Sequence, residues 1–300
     1  MTRVVFLLVP GLHLLDLAGP AQVFSSAADL VNGYELSYVG DTDTVLSHQG
    51  VPLGASREFP SLAADDLVFV PGWRSPKIVG TGHLSERAMA WLRAHHDGGG
   101  TVASVCAGAD ALGRAGLLDG RRCTTHHELQ EELARRYPAA HVVRDVLFVE
   151  DNRVVTSAGI ASGIDLALHL VAVRHGPAVA AAIARTMVIY ARRNGDDQQD
   201  SVLMRHRSHI NETVHRIQDV IESRLAERLS LSELAIHAGC SERTVTRLFG
   251  RATGMTPLKY QQALRVERAE HLIGQGATVE TAARNVGFED ARMLRRLRSR

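Results

Sequence analysis

Cys106 has the setting that most favours chemistry. It follows a short apolar run and precedes very small residues, in Gly98-Gly-Gly-Thr-Val-Ala-Ser-Val-Cys-Ala-Gly108. Residues 101–104 read as a buried strand and 107–115 as a helix, so the cysteine occupies the sharp turn between them. Such a turn pushes a nucleophile outward from a strained backbone and tolerates only small neighbours, here Ala107 and Gly108. The start of the following helix carries partial positive charge, which favours thiolate. The expectation is a sulfur that alkylating reagents or peroxide reach before Cys123 and Cys240. A buried structural cysteine is the competing account. His126 and His127, after Thr124-Thr125, are candidate bases. Either could face Cys106, or both could simply open an amphipathic helix over 127–137.

A second kind of chemistry lies in the last third. From His206 onward there are 16 basic and 11 acidic residues, against 18 and 22 before it. The net charge of +1 therefore hides a basic end suited to a polyanion. Ser230-Leu-Ser-Glu233 is a capping box that starts a helix over 231–238, ended by Gly239-Cys240. Ser241 can cap the next helix, over 242–253. Helix, tight glycine turn and helix make a helix-turn-helix. Val245, Leu248 and Phe249 fall on one face of its second helix, and Arg243, Thr246 and Arg247 on the other. Those exposed residue types fit major-groove contact. A solvated helix face is the plainer alternative. A longer helix over 258–273 leads to a second such pair, over 279–285 and 290–298.

The elements that would hold Cys106 come from the first two thirds. Apolar runs over 4–9, 34–39, 67–70 and 101–104 read as strands, with a hairpin of strands over 146–150 and 154–157. Helical stretches over 14–28, 85–96, 160–175 and 177–190 alternate with them. Strands and helices in alternation give a parallel α/β sandwich, whose sites form at the C-terminal strand ends. Three such ends carry candidates: Pro10 to Asp16, Pro71-Gly72-Trp73 and Cys106. An ordinary helix N-cap is the other account of Asp16.

Three hundred residues suffice for two domains. The expected division is 1–190, a polar linker over 191–205, and 206–300. Three cysteines without CxxC spacing and no signal peptide point to a reduced, cytoplasmic setting, and no apolar run is long enough for a membrane span. His206 and His209 lie three apart, but without further ligands nearby they are expected to be solvated, so neither a metal nor a cofactor is expected.

Several separated motifs then resemble the DJ-1/PfpI superfamily, relatives of the class I glutamine amidotransferase domain. They are Asp16-Leu-Ala-Gly-Pro-Ala-Gln-Val-Phe24, Val70-Pro-Gly72, Val105-Cys-Ala-Gly108 and Ala115-Gly-Leu-Leu-Asp-Gly-Arg-Arg-Cys-Thr-Thr-His126. The resemblance implies a flavodoxin-like parallel-sheet sandwich with Asp16 close to the Cys106 sulfur. It also implies backbone amides around Gly72 and Ala107 lining an anion pocket. A carboxyl facing a thiolate should bind its proton more tightly than usual. Trp73-Arg74 follow Gly72 where many relatives continue with glycine, so this side of the pocket is expected to differ.

Residues 212–300 resemble the AraC/XylS family through Leu234-Ala235, Ser241, Arg247-Leu-Phe249, Gly254-Met-Thr-Pro257, Arg265, Ala269, Leu272, Ala282 and Val286-Gly-Phe288. That resemblance implies an all-α tandem helix-turn-helix with recognition helices in successive major grooves. By position, Arg292, Arg295 and Arg296 match the readers of the second motif. The family usually continues past position 298 through a closing helix, so contact by the second motif is expected to be weak.

Together the two parts resemble GlxA-type regulators, which implies a transcription regulator acting on double-stranded DNA as a homodimer. Its first domain would sense a small molecule, dimerise, or both, without catalysis. A cysteine-dependent hydrolase, hydratase or glyoxalase-like enzyme using Cys106 with Asp16 is the function from another class.

Overall fold

Apolar runs that read as buried on both faces do form the centre of a parallel sheet. The computed structural model describes residues 1–31, 33–74, 84–189, 193–199, 201–274 and 276–298. It divides into two units, Met1–Gln199 and Asp200–Arg300.

In chain order the first unit comprises β1 (Thr2–Leu7), α1 (Leu14–Val31), β2 (Tyr34–Val39), β3 (Thr44–Leu46), β4 (Pro52–Gly54), β5 (Leu67–Val70) and α2 (Glu86–Asp97). There follow β6 (Thr101–Val105), α3 (Ala109–Arg114), β7 (Arg122–Cys123), α4 (Gln130–Arg136) and β8 (His141–Val142). It ends with β9 (Phe148–Asp151), β10 (Val154–Ser157), α5 (Ser162–His175) and α6 (Pro177–Thr186). Six strands make one sheet in the order β2-β1-β5-β6-β10-β9. All its pairs are parallel except β9 with β10. The parallel strands thus run 2-1-3-4-5, the flavodoxin-like order.

Alternate residues of each strand feed opposite faces. Val5, Leu7, Val68 and Val102 pack with Leu92 of α2 and Leu112 of α3. Val4, Phe6, Phe69 and Val155 pack with Phe24 of α1 and Leu166 of α5. Each such fully buried side chain contributes about 1.5–3 kcal/mol. The result is a helix–sheet–helix sandwich.

Several boundaries differ from the sequence expectation. The helix after Cys106 opens with a 3-10 turn over Cys106–Gly108 before α3. The helix expected over 127–137 also begins as a 3-10 turn, His127–Leu129. The strand expected over 146–150 is β9, which starts two residues later and ends one later. The short pairs β3–β4 and β7–β8 carry too few residues to show a pattern.

The polar stretch expected as a linker is, where described, attached to the first unit. The backbone N–H, Nε and Nη2 of Arg193 all donate to Asp165, at 2.7–3.0 Å. Leu147 and Phe148 donate to the Gly195 carbonyl. The Gln199 amide donates to the carbonyls of Thr125 (2.9 Å) and Val146 (2.8 Å). Polar composition cannot distinguish a chain bonded to water from one bonded to protein.

The second unit comprises α7 (Val202–His206), α8 (Glu212–Ser223), α9 (Leu231–Ala238), α10 (Glu242–Thr253), α11 (Pro257–Gly274), α12 (Val279–Asn285) and α13 (Ala291–Arg298). The capping box of Ser230 with Glu233 is formed, and Gly239 and Gly254 end α9 and α10 in the left-handed conformation. Two apolar clusters are present. The first gathers Ile217, Leu234, Val245 and Phe249 with Tyr260 and Leu264 of α11. The second gathers Ala269 of α11 with Ala282, Val286, Phe288 and Leu294.

Candidate functional site

Cys106 stands at φ +55°, a left-handed conformation that a side chain with a β-carbon adopts only at a cost. Its surroundings enforce the strain. The Thr125 hydroxyl donates to the Cys106 carbonyl at 2.7 Å. Gly108 meets β5 so closely that a β-carbon there would lie 2.2 Å from the Val70 carbonyl oxygen. Gly159, at φ +73°, closes the other side. Sequence reasoning missed Gly159, which lies in a loop 53 positions away.

The ends of β1, β5 and β6 bring Asp16, Gly72, Cys106 and Ala107 together. A β-carbon on Gly72 would sit 2.6 Å from Asp16 Oδ2, 2.7 Å from Cys106 Cβ and 2.8 Å from Ala107 N. Gly72 is thus the point where carboxyl and elbow converge, and its N–H donates to Asp16 Oδ2 at 3.2 Å. Asp16 is 1% exposed, and its Oδ1 is buried without a hydrogen-bond partner among the described residues. Burial pushes its carboxyl up to about 7, against the opposing pull of the Gly72 N–H.

The thiol departs from expectation. Cys106 is 7% exposed, and burial, reinforced by the Asp16 charge, pushes it up to about 12. The Ala107 N–H at the turn pulls the other way and loses. The helix-start argument identified a real contribution, but removing the sulfur from water outweighs it. At neutral pH this is a thiol beside a carboxyl that titrates, rather than a thiolate.

His126 is not bonded to the sulfur among the described residues. Its Nδ1 accepts from the Glu128 N–H at 3.4 Å, and its ring lies 4.2 Å from that of His127. Among the described residues no histidine nitrogen is hydrogen-bonded to Cys106. Burial, then repulsion from His127 and His13, lowers the His126 pKa. His13 itself, three residues before Asp16 at the same strand end, was overlooked. Its ring is 5.3 Å from that of His48, and burial followed by His48 and Arg74 lowers its pKa. Trp73 is buried in the same apolar cluster as Cys106 and Ala107, and its backbone bridges to Leu12.

The second unit presents the other candidate surface. On α10, Val245 and Phe249 are buried while Arg243, Thr246 and Arg247 are exposed. Arg243 and Arg247 make no ion pair among the described residues. On α13, Arg292, Arg295 and Arg296 are exposed around the buried Leu294. These are not equivalent. Arg295 Nη2 is 2.5 Å from Glu280, Arg292 lies 3.7 Å from Asp290, and Arg296 contacts the Met293 sulfur. His206 and His209 do not converge on a common centre: the His209 ring stacks on His215 at 4.3 Å and its Nδ1 accepts from Asn211.

Residues 2–173 match the DJ-1/PfpI family. The chain belongs to that family. Residues 234–300 of this DJ-1/PfpI protein match a helix-turn-helix domain family. Over 278 residues it is 30% identical to the HTH-type transcriptional regulator GbdR of Pseudomonas aeruginosa, which covers 90% of this chain and 73% of that one. Over 171 residues it is 36% identical to the isonitrile hydratase of Pseudomonas putida, covering 55% of this chain and 68% of the enzyme. The crystal structure of an AraC family transcriptional regulator from Pseudomonas putida superposes with a TM-score of 0.53 at 25% identity, over 62% of this chain and all of that one. No described helix is long and apolar enough to cross a membrane.

Proposed function

We infer that this protein is a sequence-specific DNA-binding transcription regulator whose first unit senses a small molecule, dimerises, or both. The observation that carries the reading is the pair of helix-turn-helix motifs on one spine, with Arg243, Thr246 and Arg247 exposed on α10. Similarity to a regulator along nearly the whole chain supports the same reading. Arg243, Thr246 and Arg247 read the first half-site, and Arg292, Arg295 and Arg296 contact the second. Residues 1–190 sense and 206–300 read. Selection of duplexes from a random pool by the purified protein tests this directly. Recovery of a common motif, lost in Arg247→Ala, is expected, and retention of only random duplexes would refute it.

The sensor role rests on the state of the elbow. Among the described residues the protonated thiol has no histidine bonded to it, which leaves it poorly prepared to attack a substrate, while the buried carboxyl has an unpartnered oxygen prepared to bind one. One observation favours an enzyme instead: the cysteine elbow with a proton-holding carboxyl beside it, in a unit 36% identical to a hydratase. Ligand-dependent thermal stabilisation without turnover is expected. Turnover abolished by Cys106→Ala in a folded protein would establish the enzyme.

A further inference from the structure

The two helix-turn-helix motifs have separate apolar cores, and α11 runs from one to the other. Packing within each core fixes each motif internally but leaves their relative rotation to whatever joins them. Arg265 lies on α11 between Leu264 of the first core and Ala269 of the second. Its guanidinium donates in three directions: Nε to the Leu225 carbonyl at 2.8 Å, Nη2 to the Glu227 carbonyl at 2.7 Å, and Nη1 to the Gly287 carbonyl at 2.8 Å. Leu225 and Glu227 belong to the turn between α8 and α9, which leads into the first motif, and Gly287 to the turn between α12 and α13 within the second. Gln261, one turn earlier on α11, also donates to Leu225 and Glu227, at 3.1 and 2.9 Å.

The turns themselves touch. A β-carbon on Gly287 would lie 2.0 Å from the Ala226 carbonyl oxygen and 2.6 Å from its carbon, and Gly287 sits at φ +85°. The second turn therefore approaches the first through a position that only glycine can occupy. The Arg265 guanidinium also lies over the Phe288 ring, 5.7 Å from its centroid.

We propose that Arg265 is the positioning residue that sets the rotation of α13 relative to α10, and so the spacing between half-sites that the protein accepts on DNA. This rests on the reading of the second unit as a DNA reader. Two recognition helices in successive major grooves must match a repeat of about 10–10.5 base pairs. Inserting one base pair turns one half-site by roughly 35° relative to the other. A rigid clasp makes that mismatch costly, and a hinge at Arg265 makes it cheap. A fork of planar donors is needed to hold three carbonyls on two turns at once.

The test uses the full chain and a duplex recovered by selection, rebuilt with one, two or three base pairs inserted between its half-sites. Wild type is expected to lose on the order of tenfold in affinity at the first insertion, comparable to a mismatched base pair. Arg265→Met is expected to reduce that penalty to about threefold or less while binding a lone first half-site as wild type does. Gly287→Ala, which keeps the arginine but separates the turns and shifts the carbonyl that Nη1 holds, should relax the spacing in the same way. Arg265→Lys retains fewer donors in a side chain of similar length, and it should fall between them. A uniform loss at every spacing in these folded variants, or an unchanged spacing profile, would overturn the proposal while leaving the DNA reading intact. A wild type that selects no duplex would overturn both.

Discussion

Gly159 lies against Cys106 so closely that a β-carbon on it would sit 2.2 Å from the cysteine's own β-carbon and 2.9 Å from its α-carbon. The nearest atoms belong to the elbow itself, so no side-chain rotation relieves the clash. Gly159→Ala also forces an alanine into φ +73°. Together these cost about 3 kcal/mol, which for a unit of this size lowers Tm by roughly 6–12 °C. Calorimetry on the variant checks this, and an unchanged Tm would show that the elbow relaxes freely.

Asp16 makes stability depend on pH. Its carboxyl ionises near 3.8 when unfolded and near 7 in the fold. Between those values the folded state holds a proton that the unfolded chain has released. The stabilisation is complete below about 4 and is lost as pH rises through 7, by up to about 4 kcal/mol at 1.36 kcal/mol per unit. Asp16→Asn cannot titrate but can still accept from the Gly72 N–H. Its denaturation midpoint should be flatter between pH 4 and 8, with the variant gaining on wild type as pH rises.

The same carboxyl governs the thiol. Cys106 and Cys123 are buried, while Cys240 is half-buried. Iodoacetamide at pH 7 should therefore label Cys240 first, the reverse of the order expected from an exposed elbow thiolate. Burial, then Asp16, then Glu128 raise the Cys106 pKa, and Asp16→Asn removes the second of these, so its labelling should accelerate. Mass spectrometry of the labelled peptides over a pH series reads both effects.

Much of this architecture is legible in the residues, for identifiable reasons. Runs such as Leu67 to Val70 announce buried strands because both faces are apolar, and Ser230 with Glu233 announces a helix start because capping is local chemistry. Gly72 and Asp16 could be placed because parallel sheets gather their sites at strand ends. Gly159 could not, since its role comes from a contact made only after the chain folds back. The Cys106 pKa failed for a similar reason. A helix start is visible in sequence, whereas the depth of burial that overrides it is not. The ion pair of Arg295 was not legible because its partner Glu280 lies 15 positions away on another helix.

That last distinction gives a measurable difference between the motifs. Arg243 and Arg247 stand exposed on α10 with no ion pair among the described residues, so DNA meets them without breaking a prior contact. Arg295 must first leave Glu280, and that carboxylate then faces the phosphates. If about five phosphates are neutralised, log K should fall with log salt at a slope near −4 to −5. Arg247→Ala should cost about 1–3 kcal/mol on the selected site and far less on random duplex, as for a residue at a base edge. Arg295→Ala should cost less, because its charge is already compensated. Glu280→Gln should tighten binding and steepen the salt slope by about one, since it frees a cation near the backbone. Titrations of the three variants at several salt concentrations separate these effects. An Arg295→Ala loss equal to that of Arg247→Ala, with no gain from Glu280→Gln, would mean that the ion pair gives way at no cost when DNA arrives.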